Sequence, residues 1–254
     1  MNTSRNKKYY IEQRQDELLL QLAQNDDDKE YILNTLKELK QLQISIVGVG
    51  GVGSICAELL IRSGITNLHL IDGDIVEESN IGRQNFLISD ISKPKVECIK
   101  KRLNSILNLE DSNKISSSMK FISSENIESE CSSSNIIIDC SDNLQTRNAI
   151  NDFCLKHKKD WIFSGAQGFE SIVCYFNYSA TPSSNVYSKL MGPMLSQTAT
   201  CSSGVLNSST QITASLILKE LLLNYCNSKT NSKQHKTKCI KFNSLHNKIF
   251  EINI

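Results

Sequence analysis

Residues 44–53 read Ile44-Ser45-Ile46-Val47-Gly48-Val49-Gly50-Gly51-Val52-Gly53, and the fold turns on them. Ile44 to Val47 has the make-up of a short buried strand. Glycines at 48, 50 and 53 follow it at the G-x-G-x-x-G spacing. Ser54 to Ser63 then reads as an apolar helix that closes at Gly64, a C-cap glycine. Leu68-His69-Leu70-Ile71 is a second strand and delivers Asp72-Gly73-Asp74. Strand, helix and strand form a βαβ unit, which predicts a parallel sheet with helices on its faces. The predicted class is therefore α/β: a Rossmann-like, mostly parallel sheet continuing into a mixed sheet, with an N-terminal helical arm.

Upstream of this unit, residues 10–43 read as a charged helical hairpin or bent arm. Ile32, Leu33, Leu36 and Leu39 fall at helical spacing, and Asn25-Asp26-Asp27-Asp28 marks a break and an N-cap region. The arm covers 1–43 and the main domain 44–254. Downstream, Pro94 opens a helix over Lys95 to Leu107. A serine-rich stretch over 112–134 follows, with a short strand expected at Met119 to Ile122. Ile136-Ile137-Ile138 is the third firm strand and ends in Asp139-Cys140-Ser141-Asp142. A helix is expected over Asn143 to Lys156, then strands at Trp161 to Phe163 and Ile172 to Phe176. Ala180 to Thr200 reads as a long irregular connection, and Ser209 to Asn224 as an apolar helix. Asn227 to Lys238 reads as an exposed loop, and Ile240 to Ile254 as a hairpin turning near His246-Asn247.

Composition excludes several classes. At 254 residues the chain holds one large α/β domain, with room for a short addition. A net charge of +1 offers no overall field for nucleic acid. No apolar run approaches the ~20 residues that span a bilayer, so no membrane segment is expected. The N-terminus MNTSRNKKYYIEQRQDE lacks the apolar core of a secretory signal, and the expected location is cytoplasmic. None of the nine cysteines is spaced Cys-x-x-Cys, so neither a zinc ribbon nor a thioredoxin pair is written here. In a reducing cytosol most of them are expected to be small buried apolar residues.

The glycine loop invites phosphate, because glycines let the backbone approach and the helix start presents unpaired N–H groups. Asp72 stands nineteen residues after Gly53, where a carboxylate accepts from ribose hydroxyls. These features suit NAD as well as ATP. Asn80, Arg83, Gln84 and Lys95 tip the balance, since a triphosphate needs planar arginine and point-charge lysine around it. Asp139 and Asp142 lie at the carboxyl edge of the third strand. Either carboxylate is a candidate to hold Mg²⁺ by oxygen ligation, and either can instead cap the helix near Asn143.

Taken together, Gly48-x-Gly50-Gly51-x-Gly53, Asp72-x-Asp74, Ser79-Asn80-Ile81-x-Arg83-Gln84, Lys93-Pro94-Lys95 and Asp139-Cys140-x-Asp142-Asn143 with Arg147 resemble the ThiF/MoeB/HesA family. That family is related to the ubiquitin-activating enzymes, and the similarity runs in order from about residue 44 to 224. The resemblance implies an adenylyltransferase that uses ATP and Mg²⁺ and works as a homodimer. It implies that Asp72 holds the ribose, Asn80, Arg83 and Lys95 engage the phosphates, and Asp142 binds Mg²⁺, with Gln84 in the same nucleotide site. A substrate carboxylate then attacks the α-phosphate and gives an acyl-adenylate and pyrophosphate.

Two further positions follow from the resemblance alone. Tyr9-Tyr10-x-x-x-Arg14-Gln15 is similar to a family segment whose arginine reaches across the dimer, and Cys201 stands near a family cysteine of sulfur or thioester chemistry. The sequence also departs from the family. Tyr187-Ser188-Lys189 falls where many members carry the first Cys-x-x-Cys of a structural zinc, so no such zinc is expected. The expected substrate is the C-terminal carboxylate of a small sulfur-carrier protein of ubiquitin-like fold. The alternatives are a ribosomally made precursor peptide of the microcin kind, a non-catalytic nucleotide-binding scaffold and, furthest out, a dehydrogenase.

Overall fold

The computed structural model describes residues 16–17, 20–21, 23, 25–107, 114–179, 186–187, 204–228 and 238–253. One sheet organises them. Its strands are β1 (Ile44–Val47), β2 (Leu68–Ile71), β3 (Ile115–Ser118), β4 (Ile136–Asp139), β5 (Asp160–Gln167), β6 (Glu170–Phe176), β7 (Lys238–Asn243) and β8 (Lys248–Asn253). They lie in the order β3-β2-β1-β4-β5-β6-β7-β8. The first five are mutually parallel, and β6, β7 and β8 continue the sheet antiparallel.

Burial on both faces explains the apolar make-up of the parallel strands. Ile44 and Ile46 enter one core, shared with Leu68, Leu70, Ile136 and Ile138. Val47, Ile71 and Ile137 point into the other, where Trp161, Phe163 and Phe176 supply the bulk. Helices α2 (Gly51–Arg62), α3 (Lys95–Leu107) and α6 (Asn207–Ser228) cover the first face. The short α4 (Ile127–Cys131) and α5 (Leu144–His157) cover the second. Helix α1 (Asp26–Leu39) is capped by Asn25, which accepts from the Asp28 N–H at 2.8 Å, and buries Leu36 and Leu39.

Two expectations change. The strand expected at Met119 to Ile122 lies four residues earlier, at Ile115–Ser118. Strand β3 forms the sheet's edge, and a serine-rich segment serves there because an edge strand faces water and needs one anchor. Ile115 is buried opposite Leu68, while Ser116 Oγ meets His69 Nδ1 at 2.7 Å. The more apolar Met119 and Phe121 are exposed in the loop beyond. The cysteines also differ in part: Cys56, Cys131 and Cys154 are buried thiols, but Cys174 and Cys239 are joined as a disulfide. They stand at facing positions of β6 and β7, a register that sequence spacing does not reveal.

The terminal hairpin turns over 244–247, with Asn247 in the left-handed region at φ 50°. The irregular connection over 180–200 lies outside the described residues apart from Val186 and Tyr187, and the loop over 229–237 lies outside them as well. Among the described residues no helix is long and apolar enough to cross a membrane.

Candidate functional site

From β1 the chain crosses to β2 on one side, and β4 later fills the other side. Such a reversal makes the carboxyl ends of β1 and β4 a switch point, the place where doubly wound sheets bind ligands. The glycine loop lies there, and its glycines do different work. Gly48 sits at φ 86°, and a Cβ on it would stand 2.7 Å from the Cys140 carbonyl oxygen. A Cβ on Gly53 would stand 1.9 Å from Gly48 O. These two glycines let the loop fold against itself and against the β4 loop. Gly50 faces Gln84 at 3.6 Å, and Gly51 faces Thr210 Cγ2 at 3.0 Å and Arg83 O at 3.3 Å, all measured to the position a Cβ would take. The segment carrying Arg83 and Gln84 and the first turn of α6 therefore flank the loop.

Helix α2 starts at Gly51 behind an N-cap glycine, Gly50, that offers no side-chain hydrogen bond. No acidic residue stands in its first turn. The positive end of a twelve-residue helix is thus left without a side-chain cap, a setting that favours an anion.

Asp72 leaves β2 half committed. Its Oδ2 accepts from the Val49 N–H at 2.8 Å and its Oδ1 from the Asp74 N–H at 2.9 Å, so it ties the glycine loop to the end of β2. Burial pushes its carboxyl above the ordinary range, opposed by those two N–H groups and by nearby Lys95. A carboxylate has further lone pairs, and Asp72 can accept from ribose hydroxyls as well. Lys95, the first residue of α3, is buried and its Nζ meets Asp74 Oδ2 at 2.8 Å. Asn80 is buried and accepts from the Glu77 N–H at 3.1 Å, closing the short 3₁₀ turn Glu78–Asn80. Arg83 is exposed, and Gln84 keeps Oε1 buried without a partner.

The β4 loop answers the capping question. Asn143 caps α5, accepting from the Thr146 N–H at 2.8 Å. Asp139 is fully buried and turns Oδ1 to the Ser141 N–H at 2.9 Å and the Ser141 hydroxyl at 2.6 Å. Neither aspartate caps the helix. Asp142 is exposed beside the glycine loop, and among the described residues no cation lies within ion-pair distance of it. A single carboxylate open to water suits Mg²⁺, which keeps several waters and takes one or two protein oxygens beside substrate phosphates. No group of three or more His, Cys, Asp or Glu able to hold a metal occurs among the described residues.

Of the residues expected from sequence, Gly48, Gly50, Gly51, Gly53, Asp72, Asn80, Arg83, Gln84, Lys95 and Asp142 thus lie on the loops and helix starts that follow β1, β2 and β4. Arg14 and Cys201 lie outside the described residues. Sequence reasoning missed Thr210, a buried residue in the first turn of α6 that stands against Gly51, and the pairing of Lys95 with Asp74 across twenty-one positions. It also gave Arg147 no role beyond the motif. The Asp-x-Asp motif after β2 was a usable signal for the pair; nothing local pointed to Thr210.

A doubly wound sheet with a glycine-rich helix start and carboxylates at its switch point defines a nucleotide-binding α/β protein. The chain belongs to the ThiF family, which it matches over residues 19–254. It is similar to the sulfur carrier protein ThiS adenylyltransferase of Bacillus subtilis (strain 168), 32% identical over 135 residues, covering 52% of this chain and 39% of that protein. It is also similar to a probable molybdopterin-synthase adenylyltransferase of Porphyra purpurea, 34% identical over 147 residues, covering 58% of this chain and 38% of that protein. The chain spans less than half the length of these curated relatives. Among solved structures, PaaA matches with a TM-score of 0.76 at 22% identity, over 98% of this chain and 74% of that one, a likeness of fold.

Proposed function

We propose that this chain adenylates the C-terminal carboxylate of a small sulfur-carrier protein of ubiquitin-like fold, using ATP. One arrangement supports the reading: an uncapped glycine-rich helix start, the Asp72 carboxylate bonded to the glycine loop, buried Lys95 and the uncommitted Asp142 all follow strand ends at the carboxyl edge of one sheet. The relatives named as adenylyltransferases support it. In this reading Asp72 holds the ribose, and the α2 start, Asn80, Arg83, Gln84 and Lys95 receive the phosphates. Asp142 holds Mg²⁺, which would supply charge neutralisation for the leaving pyrophosphate. The carboxylate oxygen forms a bond to the α-phosphorus as the bond to pyrophosphate breaks. The protein's part is alignment and positive charge, with no nucleophile of its own. The proposal extends to a cytoplasmic homodimer in which Arg14 reaches the neighbouring subunit's site, and to Cys201 acting only after adenylation.

Radiolabelled pyrophosphate exchange tests the reading. Exchange that requires a ubiquitin-like carrier ending in Gly-Gly is the expected result. Exchange driven instead by a short peptide carboxylate would replace the substrate class. Tight NADH binding without ATP binding in calorimetry would overturn the reading altogether.

A further inference from the structure

We infer that Arg147 is a positioning residue for the magnesium end of the nucleotide site, acting through the backbone of Ser141 on Asp142. The inference rests on the proposed role of Asp142. That side chain is exposed and, among the described residues, no hydrogen bond or ion pair holds it, so its direction depends on the backbone beneath it. The backbone is pinned on both sides. On one side Cys140 N donates to Val47 O at 2.8 Å, and Ser141 donates twice to Asp139. On the other side Asn143 caps α5.

Arg147 supplies the remaining hold. Its Nη2 donates to Ser141 O at 2.7 Å and reaches Ser164 O in β5 at 3.3 Å. The guanidinium carbon lies 4.7 Å from the Phe163 ring centre, a cation–π contact beside the hydrogen bonds. One arginine therefore ties the loop after β4 to the middle of β5. Its Nε is buried without a partner, and so is Oδ2 of the neighbouring Asp139. Surface arginines keep such donors in water. A guanidinium that gives up a donor while holding a carbonyl one residue from a proposed metal ligand is placed for the loop. Groups bonded to a metal ligand itself are worth about 10–100-fold in metal affinity, and a hold on the backbone one residue away acts on the same ligand through its direction.

The test reads the magnesium concentration that half-saturates tight ATP binding, by calorimetry with ATP and MgCl₂ and no acyl substrate. Thermal melts confirm that each variant is folded. In Arg147→Met the half-point should rise at least tenfold, while ATP affinity without magnesium changes less than about threefold. Arg147→Lys, which keeps the charge but reaches one carbonyl, should fall between Met and wild type. An unchanged half-point in Arg147→Met overturns the inference, and so does an equal loss of ATP affinity with and without magnesium. If the Met variant does not fold, an unchanged half-point in Arg147→Lys overturns it alone. Asp142→Asn separates the two levels: wild-type magnesium dependence there overturns the metal assignment and this inference together.

Discussion

Strands β2 and β4 end alike, and the two ends use their aspartates in the same order. Each strand delivers an inner aspartate, Asp72 or Asp139, that is buried and bonded to the backbone just ahead. Each then delivers an outer one, Asp74 or Asp142, whose side chain reaches solvent. The inner pair shapes loops. Of the outer pair, Asp74 is joined to Lys95, and Asp142 has no such cation among the described residues. The comparison teaches that carboxylates at one sheet edge divide between building the site and serving it, and that burial tells them apart.

The largest effect should fall on the outer aspartate of β4. Asp142→Asn should lower pyrophosphate exchange by about a thousandfold, the scale on which a lost transition-state charge contact acts. Unfolding free energy should change by less than about 0.5 kcal/mol, as at other exposed positions. Asp139→Asn should keep exchange within about tenfold of wild type. If the two variants lose exchange equally, the division between inner and outer carboxylates fails at β4.

At β2 the inner aspartate should dominate stability. Asp72→Asn turns an amide donor towards one of two N–H donors and removes a charge-assisted bond. Loss of about 2 kcal/mol is expected, since hydrogen bonds to a charged group contribute about 1.5–3 kcal/mol each. Chemical unfolding of Asp72→Asn beside Asp142→Asn sharpens the contrast. Equal stabilities would show that the Val49 and Asp74 contacts carry little of the loop.

Acid titration probes the inner aspartate of β4. Burial holds the Asp139 carboxyl above its ordinary value of 3.8, against the pull of Arg147. A carboxyl raised in the native state binds its proton more tightly folded than unfolded. Its contribution is complete below the unfolded value and is lost as pH rises through the folded one. Asp139→Asn removes that ionisation. The stability of the variant relative to wild type should therefore climb as pH rises from about 4 towards neutrality, and stay flat below. Urea unfolding across that range checks it. A relative stability that falls with pH would mean that the Arg147 charge outweighs burial.

Sequence made the inner and outer positions visible but not their division. Strands β1, β2 and β4 were legible because burial within the sheet demands the short apolar runs that were written there. The glycine loop was legible because its spacing follows a strand directly. Strand β3 was misplaced because an edge strand needs only Ile115 buried and tolerates three serines, while exposed Phe121 mimics a core residue. Capping stayed open between Asp139 and Asp142 because both lie within reach of α5, and the answer was a third residue, Asn143. The Cys174–Cys239 bond and the reach of Arg147 to Ser164 depend on how β6 pairs with β7 and how α5 lies on β5. Such pairings are set by tertiary packing, which local spacing does not encode.

The smallest effect concerns the outer aspartate of β2. Lys95 is held twice by the same residue: its N–H donates to Asp74 O at 3.0 Å, and its ammonium meets Asp74 Oδ2 at 2.8 Å. Asp74→Asn removes only the second hold. The first hold and the start of α3 keep the stem of Lys95 in place, and a pair whose carboxylate is half in water is screened, contributing about 1 kcal/mol to stability. For ATP the sign reverses, because Asp74 competes with phosphate for one ammonium and repels the triphosphate by its own charge. Asp74→Asn should therefore bind ATP about threefold more tightly at low salt, with the gain shrinking as ionic strength shortens the reach of the lost charge. Lys95→Met should weaken binding at least tenfold on the same scale. Calorimetry of both variants at two salt concentrations decides the matter. Were Asp74→Asn to weaken ATP binding as far as Lys95→Met does, Asp74 would belong with the inner aspartates, as a builder of the site.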